Sequence, residues 1–146
     1  MLSQIQRWSE QAGLTAKKIE DPSADFHLVI SEPKIPPIGV IHPQADSEFI
    51  LFYARVVPPE DFQKKLLDFD TKQRSELISD IRLRLFATNL EFNIVGAETG
   101  VPSAYDLYSK FFFEGNTIQS FWQTYVQMKS AVVTIIFLHQ RFLGLT

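Results

Sequence analysis

Cysteine is absent from the 146 residues. That one absence removes disulfides, thiolate metal ligation and thiol nucleophiles together. Charge is sparse as well: Asp, Glu, Lys and Arg make up 21% of the chain, with a net charge of −3. The slight acidity argues against a nucleic-acid binder, which carries a basic stripe. The low charge density lacks the ion-pair networks of many hyperthermophile proteins. Long apolar runs are missing too. In "AVVTIIFLHQRF" the run Ala131–Leu138 is eight residues long before His139, Gln140 and Arg141 intervene. A membrane-spanning helix needs about 20 apolar residues. The opening "MLSQIQRWSE" has no apolar signal-peptide core. The expectation is a cytoplasmic protein with no membrane partner.

What is present is a core. Hydrophobic residues make up 45% and aromatics 13%, with 13 Phe, a composition that a disordered chain does not have. The length favours a single domain, 1–146. Such a chain buries roughly two thirds of its unfolded surface and needs no staple. No internal repeat, low-complexity tract or dividing linker interrupts it.

The periodicity predicts an α-β-β-β-α-β-β-α order. Ser3 and Gln6 fit a capping box, Leu2, Ile5, Trp8 and Ala12 keep helical spacing, and Gly13 is a left-handed stop with Leu14 folding back on Trp8. "TAKKIEDPSAD" reads as a connector. Phe26, Leu28 and Ile30 alternate along a first strand; "IGVIH" and "FILFYARVV" follow as strands two and three. Both faces of the third are apolar, which predicts a central strand covered on both sides, with Leu51 and Phe52 both buried. Pro58-Pro59-Glu60-Asp61 starts a helix, and Asp70 or Thr71 restarts it after a kink. Leu77, Ile78, Ile81 and Leu85 form its stripe, and Asn89 stops it. "LEFNIVG" and "AYDLYSKFFFEG" are two more strands around an "AETG" turn. Asn116, with Gln119, is expected to cap the last helix. Five antiparallel strands with packed helices make an α+β domain.

That order, with "IQRWSEQAGL", "DPSADFHLVI", a strand ending in "HP" and "SELISDIRLRL", resembles an uncharacterised, mainly archaeal family of small proteins with the type III secretion chaperone-like fold. The entry Ala24-Asp25-Phe26-His27 is its most recognisable piece. The resemblance covers nearly the whole chain. It implies dimers and protein binding and supplies no catalytic residues.

Candidate chemistry is thin. His27 beside Asp25 reads as a base oriented by an acid, or as a strand-edge histidine bonded to a neighbour. His42 before Pro43 reads as turn structure. The three histidines lack zinc spacing, so no metal or cofactor is expected. "GAETG" lacks the Lys-Ser/Thr of a phosphate loop. Asp68 and Asp70 read as caps. Arg82 and Arg84, two apart on a helix, point to different faces and read as solvated flanks, not as an anion clamp. "KFFFEG" reads as sheet packing and not as a stacking platform for single-stranded nucleic acid.

The final helix is apolar almost all round. One side can pack on the sheet; the other needs covering by the domain or by a second subunit. Val132, Val133, Ile136 and Phe137 are the expected dimer or partner contact. The reading is therefore a non-enzymatic protein-interaction module, chaperone-like or adaptor, forming a homodimer with room for a further protein partner. The alternative is a small-ligand binder or enzyme with a pocket between helix and sheet near Asp25 and His27.

Overall fold

The computed structural model describes residues 2–115 and 117–144. Helix α1 (Leu2–Gln11) precedes four strands, β1 (Thr15–Ile19), β2 (Phe26–Ser31), β3 (Ile38–His42) and β4 (Phe49–Val56). Helices α2 (Glu60–Leu67) and α3 (Thr71–Phe86) lead to β5 (Glu91–Val95) and β6 (Ala104–Phe112), and α4 (Ile118–Phe142) follows. The strands form one antiparallel sheet in the order β1-β2-β3-β4-β6-β5. The α+β class and the central place of β4 agree with the sequence.

The sheet has six strands, not five. The extra one is β1, within the stretch read as a connector. Its residues are exposed apart from the half-buried Ala16, so it has no buried face to produce an alternating pattern. Main-chain pairing with β2, from Thr15↔Ser31 to Ile19↔His27, makes the strand. Lys17 and Lys18 suit this outer position, because charge discourages edge-to-edge association.

Local signals place the helices. Gly13 ends α1 at φ +72°, and the Leu14 amide donates to the Ser9 carbonyl at 2.9 Å, the long bond of a Schellman closure. Ser3 lies inside α1 and does not precede it. Asp70 caps α3 by a reciprocal box with Gln73, at 2.8 and 3.1 Å. At α4 the cap is Thr117, paired with Ser120. The expected Asn116 lies outside the described residues.

The helices share one face of the sheet. Phe26, Leu28 and Ile30 of β2, Ile38 and Val40 of β3, Ile50, Phe52, Ala54 and Val56 of β4, and Tyr105, Leu107 and Phe111 of β6 are buried beneath them. Phe121 of α4 sits at the centre, with ring centroids 5.1 Å from Phe52 and 5.3 Å from Trp8 of α1. The opposite face carries no described helix. Leu51 and Tyr53 are only half-buried there and Arg55 is exposed. The expected two-sided covering of β4 is therefore corrected. Phe52 is 0% exposed, whereas Leu51 is not part of the core. Apolar residues on both faces reflect one face that packs and one that stays open.

Candidate functional site

Three regions hold the residues singled out above. The first is the end of the sheet where β1, β2 and β3 meet. His27 does not pair with Asp25. Its Nδ1 lies 3.0 Å from Asp21 Oδ2, and its ring lies over Gly39, where an added Cβ would come within 3.2 Å of Nε2. Asp25 turns to His42, with Oδ2 2.8 Å from Nδ1. Period two explains the swap: Asp25 precedes β2, and its amide donates to the His42 carbonyl at 2.9 Å, placing it across from the end of β3.

His42 is buried. Its Nε2 lies 2.9 Å from the Ser47 carbonyl oxygen. Each ring nitrogen thus faces an oxygen, the Asp25 carboxyl at Nδ1 and the Ser47 carbonyl at Nε2. This histidine ties the 43–48 turn and the β1–β2 loop to the core, against Phe26 and Phe113. The Asp21 carboxyl is held below its ordinary range by the Ser23 hydroxyl and then by His27. A wide, open cavity of about 600 Å³ lies beside the loop, lined by Lys18, Ile19, Glu20, Asp21, Pro22, Asp25 and Phe26. Neither histidine lines it. An imidazole with both nitrogens engaged offers no base, so the geometry required for proton transfer is absent at His42. Among the described residues no group of three or more His, Asp or Glu is arranged to hold a metal ion.

The second region is the open sheet face. Antiparallel sheets with one solvated face usually present polar residues there. Here Val29, Ile41, Phe49, Leu51, Tyr53 and Tyr108 are half-buried on adjacent strands. Asp106 is the buried acid among them. Arg55 grips it with two bonds, Nε to Oδ1 at 2.7 Å and Nη2 to Oδ2 at 2.8 Å, and the Tyr53 hydroxyl donates to Oδ1 at 3.2 Å. The Arg55 hydrogen bond, followed by the Tyr53 bond, holds the Asp106 carboxyl below its usual range against the opposing effect of burial. Neither Arg55 nor Asp106 stands out in the sequence. Only the Arg55↔Asp106 register brings them together.

The third region is α4. Val132 is 0% exposed and belongs to the chain's own core, with Phe121, Tyr125, Met128, Ala131, Ile135, Leu138 and His139. Val133 and Phe137 are 44% and 49% exposed, and Ile136 is half-buried. At 100° per residue, Val126, Val133 and Phe137 fall within about 40° of one another, on the side opposite the core. The apolar run thus serves two faces. His139, on the inner one, lies 3.0 Å by Nε2 from the Tyr105 hydroxyl and 4.3 Å from the Phe62 ring, centroid to centroid. Burial pushes its pKa down to about 4, so it is neutral at pH 7. No helix among the described residues is long and apolar enough to cross a membrane.

The fold has solved counterparts. An uncharacterized protein from Methanothermobacter thermautotrophicus is similar over 95% of this chain and 96% of its own, with a TM-score of 0.88 and 21% identity. YbjN of E. coli, a candidate transcription regulator, is similar over 99% of this chain and 93% of its own, with a TM-score of 0.51 and 12% identity. At these identities the likeness concerns the fold. No curated protein matches the sequence. Residues 1–138 match the family described as uncharacterized conserved protein, DUF2299, and to that family the chain belongs.

Proposed function

We propose that the chain is a non-enzymatic protein-interaction module, chaperone-like or adaptor in action, that works as a homodimer. The observation that carries this reading is the open sheet face, where Val29, Ile41, Leu51, Tyr53 and Tyr108 occupy outward positions on adjacent strands beside the Arg55–Asp106 pair. Apolar surface of this kind marks contact with other proteins. The dimer contact is the outer stripe of α4, Val133 and Phe137, with the half-buried Ile136 at its margin, where helix spacing lets a second copy of α4 pack alongside. The sheet face is left for a protein partner, in a cytoplasmic setting. A catalytic role near Asp25 and His27 has weaker support, since each is engaged by a local partner and neither histidine reaches the neighbouring cavity.

Light scattering at high micromolar concentration tests the dimer. The expected wild-type mass is twice 16.8 kDa. Val133→Asp and Phe137→Asp should give folded monomers, while Val132→Asp, one residue away but in the core, should unfold the chain. A monomeric wild type would sink the dimer. For the sheet face, Ile41→Asp should stay folded and lose the proteins that the wild type captures from extracts of its native host. Unchanged capture would remove the sheet face from the proposal.

A further inference from the structure

A recess of about 230 Å³ lies between α3 and the turn joining β5 to β6, lined by Thr71, Arg74, Ser75, Ser79, Arg82 and Glu98 among others. Arg74, Ile78 and Arg82 recur every four residues and so share one side of α3. Ile78 is buried and anchors that side to the core. The turn is a short 3-10 segment, Ala97–Thr99, held between Gly96 and Gly100, both left-handed at φ +83° and +73°. Gly100 rests on the stem of Arg74: a Cβ there would come within 3.0 Å of Arg74 Cβ and 3.4 Å of Cδ.

This contact has an electrostatic result. Arg74 Nε is buried and has no hydrogen-bond partner. Among the described residues neither Arg74 nor Arg82 makes an ion pair, whereas Arg84 pairs with Asp80 at 3.4 Å on the surface. A guanidinium desolvated along one edge, with no counter-charge, attracts an anion more strongly on the side that remains open. Arg74 and Arg82 both line the recess, eight residues apart on α3, with Cα atoms about 12 Å apart along the axis. Ser75 and Ser79 add hydroxyl donors on the helix wall. Glu98 is the single acid of the lining, so the recess is one charge positive.

We infer that this recess is a binding site for a small phosphate-type oxyanion, either free phosphate or a small phosphate ester, held by Arg74 and Arg82. The site owes nothing to a phosphate loop. Gly100 of "GAETG" packs the turn against Arg74, and the charge comes from α3.

Amide chemical-shift titration of the whole chain tests this, with inorganic phosphate and glycerol phosphate as probes and sodium chloride holding ionic strength constant. Saturable shifts should appear at 71–82 and 97–100. Arg74→Gln and Arg82→Gln should each weaken saturation at least tenfold, and Glu98→Gln should tighten it. Tighter saturation by glycerol phosphate than by phosphate assigns the ester, and the reverse assigns the free ion. If Arg74→Gln fails to fold, Arg82→Gln, which changes an exposed residue, decides alone. Absence of saturable shifts with both probes, or saturation unchanged in folded Arg82→Gln, would overturn the site.

Discussion

Arg55 and Asp106 face each other across the β4–β6 pairing, joined by two parallel hydrogen bonds of 2.7 and 2.8 Å. The acid is 6% exposed and the arginine 52%, so the carboxylate is the desolvated partner. Arg55→Ala should lower the melting temperature at neutral pH, because it strands a buried charge. The Asp106 pKa is lowered in the folded chain. Its stabilising effect is present above the unfolded value and is lost as pH falls through the folded one. The gap between Arg55→Ala and wild type should therefore narrow as pH falls from the unfolded value through the lowered folded one. Thermal melts from neutral pH down through the acid range to the limit of folding read it; a gap constant over this whole range would contradict the role of the ion pair.

His139 supplies a second pH signature. Its folded pKa is about 4 against an ordinary 6.5. Between these values the unfolded chain binds a proton that the folded chain refuses, so stability falls as pH drops from 6.5 toward 4. The slope is at most about 1.4 kcal/mol per pH unit for one group. His139→Phe should flatten that slope, and the Tyr105 hydroxyl, losing its partner, should cost about 1–3 kcal/mol at neutral pH. Urea melts at half-unit steps check both; an unaltered slope would show that His139 titrates normally.

Leu51 and Phe52 test the one-sided packing of β4. Phe52 is fully buried against Phe121 and Phe111, so Phe52→Ala should cost about 3–5 kcal/mol. Leu51, on the open face, has less to lose, and Leu51→Ala should cost under about 2 kcal/mol. Denaturant melts compare them directly. Equal losses would mean that the open face is covered in solution.

Buried faces were readable in the sequence where residues alternate or recur at helical spacing. Strands β2 and β3 follow "FHLVIS" and "IGVIH" residue for residue, and Asp70 was readable as a cap. Strand β1 was hidden because an exposed edge strand leaves no apolar rhythm. The open face of β4 was misread because apolar side chains announce burial whether or not anything covers them. Partners set by register were out of reach. Asp25 is adjacent in sequence to the His27 motif yet bonds to His42, 17 residues on. Arg82 was weighed against Arg84, two residues on, while the arginine that lines the same recess is Arg74, eight residues back on the same helix. The recess itself needs the turn at Gly96–Gly100, and the string "GAETG" does not say which side chain it will cover.

The placement of β6 between β4 and β5 also has a kinetic consequence. Strands β1 to β4 meet their neighbours in chain order, and β5 meets β6 through a short turn. Each group can therefore assemble through contacts near in sequence, which form fast. The two groups join only where β4 meets β6, and the Arg55–Asp106 pair there closes a separation of 51 residues. Closing that loop carries an entropic cost which no earlier local contact offsets. Helix α4 packs across both β4 and β6, so its inner face has a complete surface to dock on only after the two groups have met. The slow event in folding is expected at this junction, with α4 docking as the step that locks it.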